Sequence, residues 1–256
     1  MKTFQNKVKI ISNKKYQDNY WHLVFESSLI AKNALAGQFV NIKVNTGLEP
    51  LLRRPISIHQ VEANKIKLFY QILGPGTQIL STRKSGEYLD LIGPLGNGFT
   101  YSKTSKTLNS KNILIAGGMG VAPLVFLAKK LQKPLVLIGA RTKKQILCAS
   151  EFKALGCKVQ LATDDGSQGF KGKVTDLLKL ILTQDKFSEI FSCGPTAMLK
   201  AVSAIAQNNK INAQLSLESH MACGIGVCLG CVVSTKSGYQ RVCKDGPVFS
   251  AQELTW

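Results

Sequence analysis

The chain has 256 residues, with 33 Lys and Arg against 15 Asp and Glu, a formal net charge of +18. Hydrophobic residues make up 45% of it, the composition of a folded globular protein, which excludes a disordered polycation. The length fits one large domain or two to three smaller ones.

At the amino terminus, Met1 to Lys7 leads into alternating sequence without the apolar core of a leader. The richest apolar stretches, Leu124 to Ala128 and Pro134 to Ala140, are far too short to span a bilayer, and a cytoplasmic location is expected. Lys7 to Ser12, Tyr20 to Glu26, Gln38 to Val44 and Lys65 to Ile72 read as strands separated by Gly, Asn, Asp and Pro. Short strands at that spacing predict a barrel or sandwich. The polar run Ser102 to Lys111 reads as a linker.

Beyond it the rhythm becomes strand, glycine turn, helix. Ile113 to Ala116, Leu135 to Gly139, Lys158 to Ala162 and Ile190 to Ser192 are short apolar strands, with helical patterns at Thr175 to Leu182 and Thr196 to Gln207. Apolar strands alternating with helices predict a parallel sheet covered on both faces. From about Gln214 the pattern fades, and a piece that small needs a covalent or metal staple. The expected division is 1–102, 111–213 and 214–256. The positive charge recurs in small groups, such as Lys129/Lys130/Lys133 and Arg141/Lys143/Lys144, without the interleaved aromatics of a single-strand nucleic-acid binder; it reads as solvated surface.

Four of the seven cysteines crowd together. Cys223, Cys228 and Cys231 form C-x4-C-x2-C and Cys243 follows, the plant-type ferredoxin spacing for a [2Fe–2S] cluster. Gly224, Gly226 and Gly230 would let the backbone aim N–H groups at sulfur. The competing reading, a four-cysteine structural zinc, usually shows two C-x2-C knuckles, and here there is one. Upstream, Arg53-Arg54-Pro55-Ile56-Ser57 and Gly74-Pro75-Gly76-Thr77 could together clamp a pyrophosphate through guanidinium and helix N–H groups. Gly117-Gly118-Met119-Gly120-Val121-Ala122-Pro123 follows a strand and opens a helix, as a dinucleotide loop does, but departs from G-x-G-x-x-G. Arg141 stands where an acidic ribose ligand is expected, and fits either a 2′-phosphate or a solvated basic loop. Thr163-Asp164-Asp165-Gly166 and Ser192-Cys193-Gly194-Pro195-Thr196 end two other apolar strands, where ligands bind in open α/β sheets. The histidines, His22, His59 and His220, show no triad or metal-pair spacing.

In this order, Arg53 to Ser57, Gly93-Pro94-Leu95-Gly96-Asn97-Gly98-Phe99, Gly117 to Pro123, Ser192 to Pro195 and the cysteine cluster resemble the ferredoxin–NADP reductase superfamily. More narrowly, the chain resembles the electron-transfer subunits of class 1B dihydroorotate dehydrogenase over essentially its whole length, including Asp245 to Phe249. The resemblance implies an antiparallel flavin-binding β-barrel, a doubly wound NAD-binding α/β domain and a small [2Fe–2S] domain. It also implies site residues: Arg54, Pro55, Ile56, Ser57, Phe69, Tyr70 and Gln71 on FAD, largely through backbone, with Gly76 and Thr77 on its pyrophosphate. Gly118, Gly120, Val121, Ala122, Asp164, Cys193, Gly194 and Pro195 would approach NAD, and Cys223, Cys228, Cys231 and Cys243 would ligate the cluster. In this superfamily the departure from G-x-G-x-x-G is normal. The implied role is to carry electrons from the FMN of a catalytic partner to NAD⁺ in pyrimidine biosynthesis, as half of a heterotetramer of two chains of each kind, with no catalytic residue for dihydroorotate oxidation on this chain. Two alternatives stand beside it: a subunit of an NADH-dependent ferredoxin:NADP oxidoreductase or sulfide dehydrogenase, and a zinc-stabilised basic nucleic-acid-binding module. Ser219-His220, just before the cluster, replaces charged residues frequent in related subunits.

Overall fold

A computed structural model of the chain describes residues 2–101, 111–131 and 133–256. All of the expected linker except Lys111 lies outside them. The chain forms two compact units, one of residues up to Gly98 with Ser219–Val233 and Gln240–Pro247, the other of Phe99–Glu218 with Ser234–Tyr239 and Val248–Trp256.

In the first unit, β1 (Phe4–Gln17), β2 (Tyr20–Glu26), β3 (Phe39–Lys43), β4 (Arg54–Glu62), β5 (Lys65–Gln71) and β6 (Tyr88–Leu95) close a barrel in the order β1-β2-β5-β4-β3-β6. All its pairings are antiparallel. Strand alternation builds the core: Val8 and Ile10, Leu23 and Phe25, Val40 and Ile42, Ile56 and Ile58, Ile66 and Leu68, and Leu89 and Leu91 are all buried. Each such side chain contributes about 1.5–3 kcal/mol by leaving water. Closure leaves no open edge. Helix α1 (Ser28–Asn33) is capped by the Ser27 hydroxyl, which accepts from the Ile30 N–H at 3.3 Å. Helix α2 (Pro75–Thr82) starts on a proline, whose missing N–H would have no helical partner there.

The second unit is a seven-stranded sheet containing β7 (Asn112–Gly117), β8 (Leu135–Ala140), β9 (Lys158–Thr163), β10 (Phe170–Lys171), β11 (Glu189–Cys193), β12 (Asn212–Ser216) and β15 (Val248–Ser250). The remaining strands, β13 (Val232–Thr235) and β14 (Gly238–Arg241), form a separate hairpin. The order in the large sheet is β10-β9-β8-β7-β11-β12-β15, parallel except for β15. Helices α3 (Val121–Lys130), α4 (Ala149–Ala154), α5 (Val174–Gln184) and α6 (Thr196–Asn208) make the crossovers. The chain winds outward from β7 in one direction and from β11 in the other, so the sheet is doubly wound and reverses between these neighbours, where such sheets bind ligands. Ile113 to Ala116 of β7 are fully buried, as covering on both faces requires. Helix α3 is buried from Val121 to Ala128, which explains why its sequence lacks an amphipathic stripe.

Entry into α3 depends on one close approach. A Cβ on Gly120 would lie 2.0 Å from the Cys193 carbonyl oxygen and 2.3 Å from its carbon, both backbone atoms that cannot swing aside. Gly120→Ala should therefore destabilise the second unit by at least the about 3 kcal/mol at the top of the usual overpacking range. Thermal or denaturant unfolding followed by circular dichroism measures this, and a near-neutral result contradicts it.

Candidate functional site: a four-cysteine loop, an anion cradle and a sheet edge

Cys223 to Cys231 run as an irregular loop in the same compact unit as the barrel, and Cys243 sits in the turn after β14. Cys231 and Cys243 are buried, Cys223 is half-buried and Cys228 exposed, all as free thiols. The loop points its amides at sulfur. The N–H groups of Ile225, Val227 and Cys228 each donate to Cys223 Sγ at 3.4 Å, Gly230 donates to Cys228 Sγ at 3.5 Å, and Cys243 donates to Cys231 Sγ at 3.4 Å. Left-handed backbone at Gly224 (φ +68°) and Gly226 (φ +85°) makes this curl possible. Burial alone would raise the Cys223 thiol, but the N–H donors prevail and bring it down to about 6. Burial first, and then its neighbour Cys231, push the Cys243 thiol up to about 12. Crowded thiols resist losing their protons together unless a metal compensates. Four soft ligands with N–H groups directed at their sulfurs suit an iron–sulfur cluster.

A charged fork ties the two halves of the cysteine set together. Arg241 donates from Nε to Asp245 Oδ2 at 2.9 Å and from Nη2 to Oδ1 at 3.1 Å, while its Nη1 reaches the Gly226 carbonyl at 2.9 Å. Its backbone N–H adds a bond to Asp245 Oδ2 at 2.8 Å. The turn holding Cys243 is thus fastened to the loop holding Cys223 and Cys228. The Arg241 guanidinium holds the Asp245 carboxyl below the usual aspartate range.

On the barrel, Arg54 opens β4 and its guanidinium lies over the start of α2. A Cβ on Gly76 would stand 2.1 Å from Arg54 Nε, so only glycine lets the arginine settle on the helix N-terminus. Guanidinium plus helix N–H groups make an anion cradle suited to a pyrophosphate. Thr77 closes the preceding turn, its hydroxyl accepting from Leu73 N–H at 2.9 Å and donating to the Gly74 carbonyl at 3.1 Å. Arg53 is committed elsewhere, donating to the Asp90 carboxylate and carbonyl, each at 3.0 Å. Pro55 and Ser57 are half-buried and Ile56 buried along β4. Phe69, on β5, is buried in a ring cluster with His22 at 4.8 Å, Tyr16 at 5.3 Å and His59 at 5.6 Å. Tyr70 is buried, with its hydroxyl donating to Asn13 Oδ1 at 3.1 Å, and Gln71 is half-buried. The side chains of Phe69 and Tyr70 are thus spent on packing, and along one edge their strand pairs with His22 and Trp21 of β2.

In the second unit, the sheet reversal brings together the glycine turn after β7 and Cys193-Gly194-Pro195 after β11. A Cβ on Gly194 would lie 2.6 Å from Met198 Cε and 3.0 Å from the backbone N and O of Gly117, so the two strand ends pack closely here with no room for a side chain at Gly194. Gly118 (φ +53°) has open space where a side chain would stand. Val121 and Ala122 are buried, leaving their backbone at the helix start. Asp164 is exposed at the end of β9, two strands from β7 on the same carboxyl edge. Cys193 is buried, and burial, then the Glu218 carboxylate, push its thiol far above the ordinary range. That suits packing, not nucleophilic attack.

The site contains residues to which the sequence reading gave no role. Arg241 and Asp245 flank Cys243 symmetrically, a basic and an acidic residue four apart. Asn41 lies on β3, where one polar residue interrupts the apolar run Phe39-Val40-Asn41-Ile42, and its Nδ2 donates to the Cys223 carbonyl at 3.1 Å.

The closed barrel, the doubly wound sheet and the cysteine loop define an oxidoreductase of ferredoxin–NADP reductase type. Residues 218–255 match the family model described as iron-sulfur cluster binding domain of dihydroorotate dehydrogenase B, and 114–204 match the oxidoreductase NAD-binding domain. The chain is 40% identical over 248 residues to the dihydroorotate dehydrogenase B (NAD(+)) electron transfer subunit of Desulforamulus reducens, covering 93% of each chain. It is 41% identical over 229 residues to that of Fusobacterium nucleatum, covering 85% of this chain and 86% of that one. A solved structure of an NADH-dependent reduced ferredoxin-NADP oxidoreductase superposes with a TM-score of 0.85 at 29% identity, covering 97% of this chain and 90% of the other. The chain belongs to the family of dihydroorotate dehydrogenase B electron transfer subunits. Among the described residues no helix is long and apolar enough to cross a membrane.

Because its folded pKa is depressed, Asp245 stabilises the Cys243 turn above its unfolded pKa of about 4, and that contribution is lost as pH falls through the lower folded value. Amide exchange at 244–246, corrected for intrinsic rates, should therefore keep its protection at pH 5 and lose part of it below about pH 4. In Asp245→Asn the protection should be weaker at pH 5 and lack this acid step. An identical acid step in the variant contradicts the assignment.

Proposed function

We propose that the chain passes electrons between the FMN of a dihydroorotate dehydrogenase catalytic subunit and NAD⁺, in the route to UMP. The observation that carries this reading is the four-cysteine loop, with its N–H groups directed at sulfur, in a chain 40% identical to named electron transfer subunits. In functional terms the chain divides into an FAD barrel (1–102), an NAD domain (111–213) and a [2Fe–2S] segment (214–256).

Cys223, Cys228, Cys231 and Cys243 would hold the cluster. Arg54, Gly76 and Thr77 would hold the FAD pyrophosphate, with Pro55, Ile56, Ser57, Phe69, Tyr70 and Gln71 flanking the flavin. Gly118, Gly120, Val121, Ala122, Asp164, Cys193, Gly194 and Pro195 would receive NAD. Bound FAD converts between the single electrons a cluster carries and the hydride nicotinamide requires; the protein supplies position and electrostatics. Arg54 neutralises phosphate charge beside the α2 N-terminus, and the glycine contacts between β7 and β11 keep side chains out of the nucleotide's way. Dihydroorotate oxidation belongs to the partner, in a cytoplasmic heterotetramer of two chains of each kind.

A subunit of an NADH-dependent ferredoxin:NADP oxidoreductase is the second reading, favoured by the 0.85 superposition. Co-purification separates the two. An FMN-bearing partner, with FMN, FAD and iron in the ratio 1:1:2, supports the first, and a large partner carrying FAD and [4Fe–4S] clusters supports the second. Zinc in place of iron contradicts both. Within the first reading, Arg54→Ala should weaken FAD binding roughly 10- to 100-fold, the size of a lost charge-assisted hydrogen-bond set. Equilibrium flavin release by fluorescence measures it, and unchanged affinity contradicts the cradle.

A further inference from the structure

Asn41 is 1% exposed and lies on β3, where polar side chains are otherwise absent between Phe39 and Ile42. In the barrel register it stands opposite Pro55 of β4, the strand proposed to carry flavin contacts. Its Nδ2 donates to the carbonyl of Cys223 at 3.1 Å. A Cβ on Gly224 would lie 2.4 Å from the same nitrogen, so the cysteine loop comes down onto this amide with no side chain between them. Val40 and Ile42, on the alternate face of β3, are fully buried. Phe39 and Asn41 share the other face, and they too are buried. Asn41 Oδ1 is buried with no hydrogen-bond partner among the described residues. A buried amide that leaves its acceptor unmatched is costly for the barrel alone, and apolar residues of similar size would serve that core better.

We propose that Asn41 is a positioning residue that fixes the Cys223 end of the iron–sulfur site against the flavin-bearing strand β4 and so sets the coupling between the two redox centres. The inference rests on the proposed function, because it presupposes that both centres occupy this unit. One residue links both: its backbone stands opposite Pro55 in the ladder, and its side-chain amide holds the backbone of the first cysteine ligand. A second tie holds the other end of the cysteine set. Asn97 donates through its backbone N–H to the Gly246 carbonyl at 2.5 Å and through Nδ2 to the Asp245 carbonyl at 2.9 Å. With the Cys243 end secured in this way and Arg241 still holding Gly226, loss of the Asn41 tie loosens the Cys223 end without releasing the rest of the loop.

The test uses the full-length chain, purified without oxygen, as wild type, Asn41→Asp and Asn41→Leu. Leucine cannot donate to the Cys223 carbonyl, nor can an ionised aspartate. Both should retain wild-type flavin content and wild-type flavin bleaching by NADH. Amides 223–228 should exchange faster, and iron release to a chelator should accelerate about tenfold, the scale of one lost buried hydrogen bond. In molecules that keep their iron, the later bleaching of cluster absorbance should slow by a similar factor. Wild-type iron release and cluster bleaching in both variants overturn the proposal. So does a parallel loss of flavin and iron, which would make Asn41 a residue of barrel folding only. A wild-type chain devoid of iron would strike at the functional reading itself, and that measurement comes first.

Discussion

Four thiols brought together between Cys223 and Cys243 repel one another as soon as they ionise, and the way the backbone answers that repulsion governs this part of the molecule. Amides converge on Cys223 from three residues of the loop, and Cys231 receives one from Cys243. The opposite shifts of Cys223 and Cys243 express the same conflict: one sulfur is prepared as a thiolate while another stays protonated. A [2Fe–2S] cluster held by these residues would ease it, because its cationic core offsets part of the thiolate charge. So tight a loop needs external fastening, which Arg241, Asn41 and Asn97 supply from within the same compact unit.

The nucleotide side is organised by a different constraint, the approach of bare backbone to bare backbone. Gly117, Gly120 and Gly194 let the ends of β7 and β11 meet where the sheet reverses. This explains why the turn can depart from G-x-G-x-x-G. The glycines are fixed by packing of one strand end on the other, and Pro123 sits harmlessly in the first turn of α3, where a missing N–H has no helical partner.

Much of this was legible in the sequence. Period-two alternation marked most of the barrel strands, short apolar runs marked the parallel sheet, and C-x4-C-x2-C marked the cluster loop, because each pattern follows directly from local geometry. What escaped reading depends on contacts distant along the chain. Asn41 lies 182 residues from its partner Cys223, and nothing local distinguishes it from a tolerated polar residue in a strand. Arg53 and Arg54 look equivalent, yet Asp90 on β6 captures the first and leaves the second for the α2 cradle. Short β15 was invisible because its pairing with β12 is set by the course of the chain, not by its own three residues. The net charge of +18, prominent in the composition, enters the site through only a few residues, Arg54 and Arg241 foremost.

If the proposed function holds, this chain alone houses a flavin and a [2Fe–2S] cluster that NADH reduces and that dihydroorotate does not. Anaerobic titration of the isolated chain, followed by visible absorbance and by the paramagnetic signal of a reduced cluster, tests it most directly. Two irons and one FAD per chain are expected, with both centres reduced by NADH and neither by dihydroorotate. Reduction by dihydroorotate without the partner, or a chain that binds zinc and no flavin, would contradict it.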